Sequence, residues 1–211
     1  MTTLYLVRHG QSEGNDRHIC AGGADIPLSD LGRAQAELAA GYLAKKQIDA
    51  AYSSPLSRAF ETARIISRAH GIEAVPVPEL REMSCGEWEE KTYEDIIRLY
   101  PEDYAVWQSA IHKARPKGGE NPFEVYERVS KKLMEIAKRH DGQSVLVVTH
   151  AIVLRTLICS LKFGSLEKMT ELKFVPNAST TRVVFAHGKF SLEDVGYDKY
   201  LGDMSTTLVG L

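Results

Sequence analysis

Two apolar runs in this chain end on a histidine. Leu4-Tyr5-Leu6-Val7 leads into Arg8-His9-Gly10, and Val145-Leu146-Val147-Val148-Thr149 leads into His150. A neutral imidazole is a competent nucleophile near pH 7 and needs no metal to become one. Taken singly, each histidine reads as a polar residue closing a buried strand. As a pair at equivalent strand ends, one beside an arginine, they read as a site, because ligands of open α/β sheets bind beyond the carboxyl ends of the strands. If the two strands are neighbours, His9 and His150 face one cleft. Arg58 lies one turn into a helix capped by Ser54 and can turn back toward that helix's N-terminus, which itself attracts anions. Alone, Arg58 would read as half of a surface ion pair. Together, the guanidinium forks of Arg8 and Arg58 beside two imidazoles make a cradle for a tetrahedral dianion.

Such side chains need alternating strands and helices to hold them, and the sequence pattern supplies these. Residues 3–7 and 50–53 are apolar runs too short for helices, and 73–77 reads as a third strand. Ser29-Asp30 opens a helix whose apolar face is expected at Leu31, Ala34, Leu38 and Tyr42. Ser54-Pro55 is read as an N-cap with proline at the first helical position, and Gly71 closes that helix. Two short helices are expected on either side of Pro101. Asn121-Pro122-Phe123-Glu124 carries a cap, a proline and a capping-box glutamate, so a helix runs from there to about His140. Residues 144–149 form a β-branched run suited to a strand buried on both faces, and 151–163 continue as a helix. A hairpin is expected at His187-Gly188. This order implies an α/β fold: a three-layer α/β/α sandwich around a mostly parallel sheet, with an antiparallel strand near the C-terminus. Residues 1–211 read as one domain, with a lid-like helical insertion around 83–120.

Bulk properties narrow the function classes. A net charge of −2 with scattered Lys and Arg argues against nucleic-acid and membrane-surface binding. The three cysteines, Cys20, Cys85 and Cys159, form no C-x-x-C pair, so neither a zinc site nor a disulfide framework is expected. No run approaches the length of a membrane span, and no signal-peptide pattern opens the chain, so a cytoplasmic protein is expected. The other histidines (His18, His70, His112, His140 and His187) fall near helix ends or turns and are expected to be exposed.

The stretch 6–15, LVRHGQSEGN, resembles the signature of the histidine phosphatase superfamily, the phosphoglycerate-mutase-like proteins. The resemblance extends along the chain. Asp25-Ile26-Pro27-Leu28-Ser29 with Gly32, Ser53-Ser54-Pro55-Leu56-Ser57-Arg58-Ala59, Leu80-Arg81-Glu82 with Gly86-Glu87-Trp88-Glu89, and Val147-Val148-Thr149-His150 with Arg155 are similar to further blocks, in order. The resemblance implies that His9 is the nucleophile, that Arg8, Arg58 and His150 form the phosphate pocket with Asn15 as a further contact, and that Glu82 is the proton donor. Ala21 and Gly22 are placed on the substrate side, where they suggest little bulk.

The implied activity is that of a histidine acid phosphatase-type phosphomonoesterase, a hydrolase. It would act on a small phosphorylated metabolite with no metal and no cofactor, and a homodimer is left open as its assembly. Two alternatives stay open: a cofactor-dependent phosphoglycerate mutase and a non-catalytic phosphate-binding module. Against the mutase, the acid loop reads Glu82-Met83-Ser84-Cys85-Gly86, without the arginine and tyrosine of the mutase pattern, and Ala114-Arg115-Pro116-Lys117 offers no arginine pair. Two departures touch the phosphatase pattern itself: the block Gly118-Gly119-Glu120-Asn121 has asparagine where that branch often has serine, and Glu90 stands where it often has glycine after Trp88-Glu89, which bears on how tightly the acid loop turns.

Overall fold

The structure is a computed structural model that describes residues 1–207. Its elements are β1 (Thr2–Arg8), α1 (Glu13–Asp16), α2 (Asp30–Leu43), β2 (Ala50–Ser53), α3 (Ser57–Arg68), β3 (Ala74–Pro76), α4 (Tyr93–Leu99), α5 (Pro101–Ala110), α6 (Pro122–Arg139), β4 (Ser144–Thr149), α7 (Ala151–Phe163), β5 (Thr180–Ala186) and β6 (Lys189–Tyr197). The strands form a six-stranded sheet in the order β3-β2-β4-β1-β5-β6. Neighbours pair in parallel from β3 to β1, and β5 alone runs against the others, because it is antiparallel to both β1 and β6.

Period-2 alternation explains the three layers. Leu4, Leu6, Val145 and Val147 point to one face and are buried with α6 and α7. Val7, Leu146 and Val148 point to the other and are buried with α2 and α3. Both faces of β1 and β4 are thus covered, which is why these strands read as unbroken apolar runs. The carboxyl ends of β1 and β4 are the one place where these strands can carry polar side chains into a cleft. Their register pairs Arg8 with Thr149. The next residues, His9 and His150, therefore leave the sheet side by side.

Helix α6 carries the expected capping box at Asn121 and ends at the C-cap His140, and the hairpin turns on His187 and Gly188 with φ of +50° and +78°. Three local expectations need correction. The buried face of α2 is Gly32, Gln35, Ala36, Ala39, Ala40 and Leu43. Leu38 is 38% exposed, and Leu31, Ala34 and Tyr42 are only half-buried. Small residues on the true face let α2 lie close to Ala59 and Ala63 of α3, where leucines would hold the helices apart. Ser54 does not cap α3, which begins three residues later with Leu56 at its N-cap. Of the five histidines expected to be exposed, His18 and His187 are, whereas His70, His112 and His140 are half-buried.

Candidate active site

His9 sits at the exit of β1 with its backbone pinned on both sides. Its N–H donates to Thr149 O (3.0 Å), and its carbonyl accepts from Ala178 N (3.1 Å) and Asn177 Nδ2 (3.1 Å). The ring's Nδ1 lies 2.6 Å from the Gly10 carbonyl. A carbonyl can only accept, so Nδ1 carries the proton and Nε2 keeps its lone pair. Burial first, then the charges of Arg58 and Arg8, hold the His9 pKa well below the usual histidine range. Glycine at position 10 is a packing necessity: a Cβ there would fall 2.3 Å from Gly32 O.

Arg8 and Arg58 are buried, at 0% and 1% exposure. Arg8 Nη1 donates to Val175 O (2.7 Å). Arg58 Nη1 and Nη2 donate to Ala24 O (2.8 Å) and Gly22 O (2.9 Å). Arg8 Nε and Nη2 and Arg58 Nε have no hydrogen-bond partner among the described residues. Buried donors without partners are costly, and charged ones more so, which makes them strong ligands for an anion. Burial pulls the Arg8 pKa down to about 10, which still leaves it charged at neutral pH.

His150 lies edge-on to His9, with ring centroids 5.0 Å apart. It does not itself line the cavity in front of His9. Its Nε2 is 2.7 Å from Ser54 Oγ, which also receives Leu56 N–H (3.3 Å). Ser54 Oγ and Nε2 can each be the donor; with Ser54 donating, Nδ1 carries the proton, and that nitrogen too is buried without a partner among the described residues. Burial, followed by Arg58 and His9, keeps His150 neutral well below its usual range. Asn15 lines the cavity. Its Oδ1 is occupied by Ser12 N (3.1 Å) and Asn177 Nδ2 (3.2 Å), which leaves its amide N–H groups for an anion.

Glu82 is brought to the same cavity by the loop after β3. Oε1 accepts from Met83 N (2.9 Å) and Oε2 from Ile152 N in the first turn of α7 (3.2 Å). Burial raises its pKa above the usual carboxylate range, although both backbone N–H groups and both arginines pull the other way. The loop itself is clamped. Thr149 Oγ1 donates to Leu80 O (2.8 Å). Arg128 of α6 donates to the carbonyls of Glu79 (2.7 Å), Arg81 (2.8 Å) and Glu82 (3.0 Å), and grips Glu120 through Nε (2.8 Å) and Nη2 (2.9 Å). Glu120 Oε2 in turn accepts from Ser84 N (3.0 Å).

The cavity holds about 580 Å³ including its open mouth. Ala21 and Gly22 line it as expected, and Gly22 (φ +48°) also holds Arg58 through its carbonyl. Glu89 is not a solvated loop carboxylate: its Oε1 accepts from Gly23 N, Ser84 Oγ and Cys85 N. Cys20 and Cys85, 65 positions apart in the chain, both face the cavity as free thiols. Sequence reasoning missed Ser54 as the partner of His150, Arg128 and Glu120 as the loop clamp, and Phe174 as a wall. Glu120 stands in the Gly118-Gly119-Glu120-Asn121 block that resembles the family's, which was the one hint in the sequence, and most of the other contacts span long sequence separations.

Comparison with known proteins places the chain in a family. Phosphoserine phosphatase 1 of Hydrogenobacter thermophilus is 38% identical over 168 residues, 80% of each chain. An adenosylcobalamin/alpha-ribazole phosphatase of Salmonella typhimurium is 34% identical over 158 residues, 75% of this chain and 78% of the relative. The solved structure of YhfR from Bacillus stearothermophilus superposes with a TM-score of 0.91 at 32% identity, covering 95% of this chain and all of the other. The family model of the histidine phosphatase superfamily, branch 1, matches residues 4–198. This chain therefore belongs to the histidine phosphatase superfamily.

Proposed function

We propose that this protein is a phosphomonoester hydrolase that works through a phosphohistidine on His9. The observation that carries the proposal is a His9 Nε2 lone pair, fixed by the Gly10 carbonyl, set among buried N–H groups of Arg8 and Arg58 that have no protein partner among the described residues. In the first step Nε2 attacks phosphorus and the P–O bond to the alcohol breaks in line. The departing oxygen takes its proton from Glu82, whose raised pKa lets it hold one. In the second step ionised Glu82 accepts a proton from water, the resulting hydroxide attacks phosphorus, and the P–N bond breaks to return neutral His9 and inorganic phosphate. Arg8, Arg58 and Asn15, which line the cavity, bind the phosphoryl oxygens and offset their charge in both steps. His150, packed behind His9, adds its Nδ1, which has no partner among the described residues, by turning it toward them. This is most of what phosphoryl transfer asks of a protein.

Hydrolysis is favoured over mutase chemistry by the missing substrate-side arginines and by the phosphatase names of the relatives at 38% and 34% identity. We further read residues 83–120 as an insertion that walls the site within one domain, and the protein as a cytoplasmic enzyme of small phosphorylated metabolites. The test is phosphate release from a panel of phosphomonoesters in EDTA, with wild type beside His9→Ala. Release by wild type alone is expected. Isomerisation of 3-phosphoglycerate that depends on the 2,3-bisphosphate, without phosphate release, would replace the phosphatase with a mutase. A reversible loss on chelation would contradict the metal-free mechanism.

A further inference from the structure

Two guanidinium groups line the cavity, Arg8 and Arg58, and both belong to the phosphoryl end. Beyond them the wall is Ile19, Ala21, Trp88, Trp107, Ile152 and Phe174. The thiols of Cys20 and Cys85 and the phenol of Tyr93 on that side bring no cation. Two further arginines touch lining residues and are turned to other tasks. Arg155 stands behind Phe174, its guanidinium 4.3 Å from the ring centroid, and donates Nε and Nη2 to Met169 O. Arg128 lies behind Glu82, with its N–H groups taken by Glu120 and three backbone carbonyls. The side chains of residues 208–211, Leu-Val-Gly-Leu, carry no charge.

Two arginines offset one phosphoryl dianion. A carboxylate on the leaving group would be a third negative charge against a mostly apolar wall, with no third cation among the described residues that line it. An ammonium would lie near two arginines, and the one carboxylate lining the cavity, Glu82, must be protonated for the first step. A flat apolar group, by contrast, would exchange water for Trp88, Trp107 and Phe174.

We propose that the substrate is a phosphomonoester of an uncharged, apolar alcohol, best with an aromatic group, and that phosphorylated carboxylates and amino acids are poor substrates. This inference rests on the phosphatase reading. It separates this chain from its relative named for phosphoserine, an alcohol with both charges.

The test uses wild-type protein and four primary alkyl esters: 2-phenylethyl phosphate, propyl phosphate, phosphoserine and 3-phosphoglycerate. The kcat/KM for the phenylethyl ester is expected to exceed those for phosphoserine and 3-phosphoglycerate by on the order of 10²-fold, with propyl phosphate between. Equal or better turnover of either charged ester would overturn the proposal. A second arm measures calorimetric binding of 2-phenylethylphosphonate and 3-phosphonopropionate, which needs no turnover. At least about tenfold tighter binding of the phenylethyl compound is expected. Equal or tighter binding of the carboxylate, or binding of neither, would overturn the substrate class. If no ester is hydrolysed, the phosphatase reading falls and the order of phosphonate affinities still decides this one.

Discussion

Replacing Arg128 with methionine tests how the fold holds Glu82, which we propose as the proton donor. Methionine keeps much of the aliphatic stem and removes a guanidinium that makes five hydrogen bonds, two to Glu120 and three to the carbonyls of Glu79, Arg81 and Glu82. Losing one partner of a fully buried ion pair costs about 3–5 kcal/mol. Here the side chains are 21% and 29% exposed, so water reaches part of the gap and about 2–3 kcal/mol is the better figure. For a chain of this size that lowers Tm by about 5–10 °C. Arg128 and Glu120 form one network with Ser84, so the double substitution with Glu120→Gln should show a coupling of about 1–2 kcal/mol. Kinetically, freeing the loop misplaces Glu82, and a displacement near 1 Å costs on the order of 10²-fold. Urea unfolding and steady-state kinetics on an alkyl phosphate and on p-nitrophenyl phosphate read both effects. The expected result is a kcat loss of about 10–10²-fold with little change in KM, larger for the alkyl ester. Lost stability with unchanged kcat on both esters would refute the link between the clamp and Glu82.

Further outcomes follow from the same geometry. Glu82→Gln should slow alkyl phosphates by about 10²–10⁴-fold and p-nitrophenyl phosphate less, because nitrophenolate leaves without a proton; equal losses would confine Glu82 to the water step. His9 and His150 are held neutral in the fold below their usual range, so the unfolded chain binds more protons below about pH 6.5 and stability should fall as pH drops from there. Each histidine contributes up to about 1.4 kcal/mol per pH unit, and Glu82, whose raised pKa acts in the opposite sense just above the usual carboxylate range, offsets part of it. In phosphate-free buffer, the urea midpoint of His9→Ala should depend less steeply on pH between 6.5 and 5 than that of wild type, and an unchanged slope would refute the assignment. Glu90 is exposed with φ of +62°. Glu90→Gly removes about 1–2 kcal/mol of left-handed strain against a backbone-entropy cost of about 0.5–1 kcal/mol. A net gain near 0.5 kcal/mol is expected in thermal or urea unfolding, and a loss would show that the side chain earns its place.

Much of this site was legible because its parts sit at strand ends that the chain marks locally. The apolar runs before His9 and His150 read as short strands, and the adjacent parallel pairing of those strands in the fold puts the histidines together. The caps of α6 and the hairpin at His187-Gly188 were legible for the same local reason. Glu90 stood out in the sequence as a replacement for a frequent glycine, and the fold supplies the reason, a left-handed backbone at that position. The face of α2 was misread because leucine outweighs alanine in a pattern of hydrophobicity, whereas close helix packing selects the smaller residue. Ser54 was assigned to a cap because proline follows it, but its hydroxyl is used across 96 positions on His150. Arg128 looks like any surface residue on paper, and only the fold brings it to Glu120 beneath the acid loop.

The central claim is that phosphorus is bonded to His9 during turnover. Alkaline quench of a single turnover with ³²P-labelled substrate tests it directly. The account predicts label on the protein that survives base, is lost in acid, maps to His9 and is absent in His9→Ala. Turnover with no such label, or label on a residue other than His9, would contradict it.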